Sequence, residues 1–237
     1  MKNNDTKLIE LEIWSDFMCP FCYIGKTKFE NALENFEFKD QVQITWRSYQ
    51  LDPNLYSNKY RNINEYIAST KQIPHEEAEQ INNYVKSLGE KLDLVFNFDD
   101  MQVTNTLKAH QLSHLAKKYN KQNLIEGLLF KAPFEEGKNI DALPDLLVLA
   151  KKAEIPEEEV TKTIEQNLFI SEIAKDIQAS KDIGLTGVPF FVFNNKYGIS
   201  GAQESETFLE SLEKIYRDRK IQEAKAANQC STDGFCE

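Results

Sequence analysis

Cysteine is scarce in this chain: four in 237 residues, as two separated pairs, Cys19/Cys22 and Cys230/Cys236. A disulfide-built scaffold needs a denser framework, so a small secreted cross-linked domain is excluded. No stretch approaches the roughly eighteen apolar residues of a membrane-crossing helix. The opening residues, M-K-N-N-D-T-K-L-I-E, carry no long apolar segment followed by small residues. A secretory signal is therefore not expected, and the expected location is cytoplasmic. Basic clusters are also missing: 28 Lys and Arg stand against 38 Asp and Glu, a net charge of −10. Such a chain is a poor partner for nucleic acid or an anionic membrane surface, and the acidity reads as solubility. Internal repeats and low-complexity segments are absent too.

What is present suits a globular protein, with 41% hydrophobic and 28% charged residues. The length fits one large domain, or one domain carrying an insertion. Residues 8–14 alternate apolar and acidic side chains and predict a strand. Pro20 follows Cys19, and Tyr23, Ile24, Phe29, Ala32 and Leu33 recur at helical spacing. This predicts a helix with Cys19 at its N-cap and Pro20 at its first position. Residues 42–49, V-Q-I-T-W-R-S-Y, alternate cleanly and predict a second strand.

From about residue 64 to 180 helical spacing dominates, with Pro74 and Pro156 opening acidic first turns. Late strand signals return in P-F-F-V-F-N at 189–194 and Y-G-I-S-G at 197–201, with a turn at 194–196 making a hairpin. Residues 204–216 predict an amphipathic helix. Residues 217–227 predict a second helical stretch with little apolar stripe, projecting from the body, and a polar tail follows. The fold class is thus α/β: a thioredoxin fold with a large all-helical insertion between an N-terminal β–α–β half and a C-terminal β–β–α half. The expected division is 1–52 plus 181–217 for the thioredoxin-like domain, 53–180 for the inserted helical domain, and 218–237 for a C-terminal helix extension and cysteine-bearing tail.

The pair Cys19/Cys22 admits two chemistries. Together with His110 and His114, four apart on a helix, it would make a Cys₂His₂ metal set. The redox reading accounts for more, and no metal is expected. A thiolate at a helix N-cap meets unpaired backbone N–H groups and the positive end of the helix dipole. Cys22, one turn further in, is placed to resolve a mixed disulfide, and Pro20 and Phe21 fix the intervening turn and tune the site. The segment T-G-V-P at 186–189 enters the late strand where thioredoxin folds hold a cis-proline facing the cysteines. That makes Pro189 a site residue and leaves the Val188 backbone for pairing with a bound peptide.

The segments D-F-M-C-P-F-C-Y-I-G-K, N-T-L-K-A-H, F-E-E-G-K-N-I, T-G-V-P-F-F-V-F and I-S-G-A-Q together resemble the DsbA-like thioredoxin-fold proteins of the FrnE group. These in turn are similar to 2-hydroxychromene-2-carboxylate isomerases and kappa-class glutathione transferases. The resemblance spans residues 8 to about 216. It implies disulfide oxidoreductase activity without a bound cofactor, with Cys19 as nucleophile, Cys22 as resolving thiol and Pro189 as cis-proline. Asn105 and His110 match a segment near the substrate side of the insertion and are carried as substrate-pocket candidates. The implied partners are protein thiols and disulfides, with glutathione or thioredoxin as redox partner.

Two other readings stand beside this one: glutathione-dependent isomerisation or transfer on a small aromatic compound, and a non-catalytic peptide-binding adaptor or holdase. The isomerases and transferases typically carry serine at the nucleophile position, whereas this chain has both cysteines. Cys230 and Cys236 are close enough in sequence for a local disulfide, and are expected as a second redox pair. If residues 217–227 are helical, the tail is carried away from its own active site, and a homodimer becomes the route for that exchange.

Overall fold

The structure, a computed structural model, describes residues 8–57 and 62–233, with side chains to residue 224. Strand β1 (Ile9–Ser15) leads into helix α1 (Pro20–Asn35) and, through a 3₁₀ turn at Lys39–Gln41, into β2 (Val42–Ser48). Seven helices follow: α2 (Ile63–Lys71), α3 (His75–Glu90), α4 (Leu107–Lys118), α5 (Gln122–Phe134), α6 (Leu143–Lys152), α7 (Glu157–Glu165) and α8 (Ile170–Asp182). The hairpin β3 (Phe190–Phe193) and β4 (Tyr197–Ser200) and the helix α9 (Ser205–Asp233) complete the chain. The fold is a thioredoxin-like α/β fold with an inserted run of helices. Pro74 and Pro156 are the N-caps of α3 and α7, where each leads an acidic first turn.

The sheet runs β2-β1-β3-β4. β1 and β2 are parallel, Ile9 opposite Val42 and Ile13 opposite Trp46, which requires the α1 crossover. β3 is antiparallel to β1, with Leu11 opposite Phe193, and pairs antiparallel with β4. The alternation in β1 sends Ile9, Leu11 and Ile13 into one core with Phe29 of α1 and Phe208 and Leu212 of α9. β2 is closed on its far side by a side chain acting as a strand. Gln122 accepts from the Trp46 N–H at 3.2 Å and donates to its carbonyl at 3.1 Å.

A larger apolar cluster is built mainly by the inserted helices and includes Cys19, Cys22, Tyr23 and Ile24 of the α1 region. Tyr23 stacks on Phe130 at 5.5 Å, and Phe17 meets the same ring at 5.2 Å. The cysteine pair therefore sits where the sheet's helix meets the insertion.

Two expectations are corrected. β1 starts at Ile9 and continues through Ser15, a shift of one residue. The stretch 217–227 is helical as expected and extends α9, which continues to Asp233 and so takes in the start of the expected tail, but it does not simply project from the body. Its polar side chains do pack: Arg219 is buried, lies over the Tyr216 ring at 4.9 Å and donates to Gln41 at 2.5 Å. The Cys230–Cys236 disulfide falls outside what the structure describes, since Cys236 and the side chain of Cys230 lie beyond it.

Candidate active site

Cys19 is the N-cap of α1, with extended backbone, and Pro20 opens the helix. The Cys19 N–H donates to the Asp16 carbonyl and the Cys22 N–H to the Cys19 carbonyl, both at 3.0 Å, which closes the turn around the pair. Both thiols are free. The Cys19 thiol makes no capping hydrogen bond to the helix start. It donates instead to the Val188 carbonyl at 3.7 Å. The Val188–Pro189 peptide is cis. Helix α1 approaches this proline closely because residue 25 is glycine: a Cβ there would lie 2.9 Å from Pro189 Cγ.

The two cysteines differ in surroundings. Cys19 is 6% exposed and Cys22 only 1%. Burial pushes the Cys22 thiol well up; the hydrogen bond to the Cys19 sulfur and the charges of Cys19 and Asp16 add to this, and a backbone hydrogen bond at Asp16 opposes it. Cys22 is thus held protonated and out of reach. Cys19 borders a cavity of about 330 Å³, walled by Met18, Ile63, Tyr66, Ile67, Val85 and Phe134 among others. The insertion thus supplies most of the wall beside the outer thiol. Phe21, between the cysteines, is 39% exposed at the same cavity. A mildly acidic alkylation with iodoacetamide should therefore label Cys19 at least about tenfold faster than Cys22, read by peptide mapping. Faster labelling of Cys22 would reverse the assignment.

The other candidates are placed as follows. Asn105 spends its amide inside the protein: Nδ2 donates to the carbonyls of Pro53 at 3.2 Å and Leu55 at 3.0 Å, while Oδ1 accepts from the Leu107 N–H at 2.9 Å. It ties the segment after β2 to the start of α4 and is not among the residues lining the Cys19 cavity. His110 lies behind the pair, its Nε2 3.6 Å from Asp16 Oδ1. His114 points elsewhere, with Nε2 3.1 Å from Ser48 Oγ and 3.2 Å from Asp176 Oδ2. Among the described residues no three His, Cys, Asp or Glu side chains group as metal ligands, so the Cys₂His₂ arrangement is not assembled. Two residues that sequence reading passes over belong to this site, Asp16 and Gly25. Both stand within the quoted motif, but only the tertiary structure shows what they touch.

The family model described as the DSBA-like thioredoxin domain matches residues 10–213, and the chain belongs to that family. Its sequence is 26% identical over 211 residues to the uncharacterized protein YwbO of Bacillus subtilis strain 168, covering 86% of this chain and 96% of YwbO. The structure resembles the probable DsbA oxidoreductase SCO1869 from Streptomyces coelicolor with a TM-score of 0.82 and 29% identity, covering 88% of this chain and 90% of that one. It shares its fold with the cytosolic disulfide reductase DsbM from Pseudomonas aeruginosa, solved with GSH, at a TM-score of 0.64 and 14% identity, covering 88% and 99%. No described helix is long and apolar enough to cross a membrane.

Proposed function

We propose that this chain is a thiol–disulfide oxidoreductase that exchanges disulfides with protein thiols through Cys19 and Cys22. The observation that carries this reading is the asymmetry of the pair. One thiol stands at a helix start beside an open apolar cavity, and the other is buried one turn behind it. Cys19 attacks a substrate disulfide, the mixed disulfide is held beside Val188 and Pro189, and Cys22 releases the product. The apolar cavity wall favours substrates whose cysteine is flanked by aliphatic or aromatic side chains. In a cytoplasmic setting, with glutathione or a thioredoxin as electron donor, the pair runs toward reduction of substrate disulfides.

The test is turnover of insulin disulfides with dithiothreitol as reductant, alongside a glutathione redox titration of the pair. Insulin reduction well above the background rate is expected. Phe21 offers no charge or proton with which to stabilise a Cys19 thiolate, so the potential should fall near thioredoxin and glutaredoxin, roughly −200 to −270 mV. A folded chain without turnover would sink the reading. A potential near that of a strong periplasmic oxidant, about −120 mV, would refute the reducing direction.

A further inference from the structure

Each reduction of a substrate disulfide leaves Cys19 and Cys22 joined, and a thiol from outside must open that bond before the next round. Cys22 is 1% exposed, so the incoming thiol meets Cys19. Cys19 borders the cavity of about 330 Å³, and the walls of that cavity therefore select among donors.

The wall is apolar because of how α2 is patterned. Ile63, Tyr66 and Ile67 recur at helical spacing and line the cavity, and Val85 of α3 and Phe134 of α5 line it with them. Three polar lining residues spend a donor inside the protein. Asn82 Nδ2 donates to Asn64 Oδ1 at 2.6 Å, Thr70 Oγ1 to the Tyr66 carbonyl at 2.7 Å, and the Tyr66 hydroxyl to Asp52 Oδ2 at 3.4 Å. Lys71, in the last turn of α2, differs from these. Among the described residues it is the one charged side chain lining the cavity, and it has no ion-pair partner. Lys71 is also exposed, which puts its charge at the cavity mouth. At about 30 Å³ for a group the size of a water or a methylene, the space takes roughly ten such groups.

We propose that the electron donor selected by this cavity is an apolar thiol acid: a thiol on a carbon body of about six to ten carbons, ending in one carboxylate that pairs with Lys71. This rests on the exchange reading above and names the donor for it. Glutathione fits the cavity poorly, because its peptide groups, second carboxylate and ammonium find no partners against an apolar wall with one cation. The chain carries a net charge of −10, which repels anions in general. A preference for a carboxylate must therefore arise locally, at Lys71.

Two donor molecules complete the reduction. The first, as its thiolate, attacks Cys19 Sγ. The Cys19–Cys22 bond breaks, a donor–Cys19 disulfide forms, and the electron pair leaves on Cys22, which takes up the proton the donor released to water. The second donor thiolate attacks the sulfur of the first. Their S–S bond forms, and Cys19 leaves as a thiolate and is protonated in turn. Two thiols are oxidised to one disulfide, and the pair gains two electrons and two protons.

The test starts from the oxidised full chain, freed of oxidant. The second-order rate of reduction of Cys19–Cys22 is measured by acid quench, alkylation and peptide mapping. The donors are ω-mercapto acids of three, six, eight and eleven carbons, the ω-mercapto alcohols of the same lengths, and glutathione. All are primary thiols of similar intrinsic reactivity, so differences report on the cavity. Each methylene added between three and eight carbons should speed reduction about threefold, and the gain should level off by eleven, when the cavity is full. The eight-carbon acid should outrun glutathione by about 50-fold or more. It should outrun its own alcohol about three- to fivefold, an advantage that shrinks in about 1 M salt. In Lys71→Glu that ratio should invert, with the acid slower than the alcohol.

A flat chain-length series, glutathione as fast as the eight-carbon acid, or an acid preference that survives Lys71→Glu would overturn the proposal. Insulin turnover in the same preparation keeps the two readings apart. A chain that reduces insulin but shows a flat series loses the donor assignment alone. A chain that shows the steep series but leaves insulin intact sinks the exchange with protein disulfides instead.

Discussion

Replacing Cys19 with serine should abolish insulin reduction, a loss on the order of 10³-fold or more, because among the described residues no other thiol borders the cavity in its place. Cys22 cannot substitute for it. It is buried and its thiol is held protonated by burial and by its neighbour. Cys22→Ser should fail differently. Cys19 should still attack, and the chain should accumulate as a mixed disulfide that mass spectrometry resolves, with steady-state turnover lost but the first half-reaction kept. The two variants thus separate attack from release. A Cys19→Ser chain that retains turnover while Cys22→Ser loses both half-reactions would exchange the two roles.

The ease with which this site is read from sequence has a local cause. The strand, the C-x-x-C turn and the first helix are specified by side chains within about thirty residues of one another. Pro20 fixes the helix start, and the alternation at 42–48 fixes β2. The late hairpin is legible for the same reason, since residues 194–196 form its turn and both strands are adjacent in sequence. What escapes is everything that depends on the insertion folding back. His110 lies more than ninety residues from Asp16, and nothing in either local sequence says that they meet. Asn105 is carried as a pocket candidate because N-T-L-K-A-H resembles a family segment, and only the structure shows its amide tying down the 53–55 segment. The end of the chain misleads for another reason. Hydropathy shows no apolar stripe beyond residue 216, but the buried Arg219 lays its guanidinium over the Tyr216 ring, a contact a hydropathy pattern cannot register.

Removing the Asp176 carboxylate should be the most destabilising change among the polar residues, because it is the joint between α8 and the sheet. The Asp176 side chain is 2% exposed. Its Oδ1 receives Arg47 at 2.9 Å and its Oδ2 the Ser48 N–H at 3.0 Å, with His114 Nε2 3.2 Å away. Its backbone carbonyl receives the Trp14 indole N–H at 2.9 Å. Asp176→Ala leaves the Ser48 N–H without its acceptor and Arg47 with Glu12 as its remaining carboxylate partner. Breaking a buried pair from one side costs about 3–5 kcal/mol. In a chain of this size that lowers Tm by about 10–15 °C.

The pH dependence has a definite sign. Burial works against the Asp176 charge, but the hydrogen bonds from His114 and the Ser48 backbone and the charges of Arg47 and His114 outweigh it and hold the carboxyl below the usual range. A carboxyl depressed in the folded state contributes stability that is complete above its unfolded value, near pH 4, and is lost as pH falls through the lower folded value. The gap in unfolding free energy between wild type and Asp176→Ala should therefore be widest near neutral pH and narrow on acidification below about pH 4. Urea unfolding at neutral pH and at about pH 3 measures both. A gap under about 0.5 kcal/mol at neutral pH, or one that widens in acid, would show that α8 is held to the sheet by packing rather than by this carboxylate.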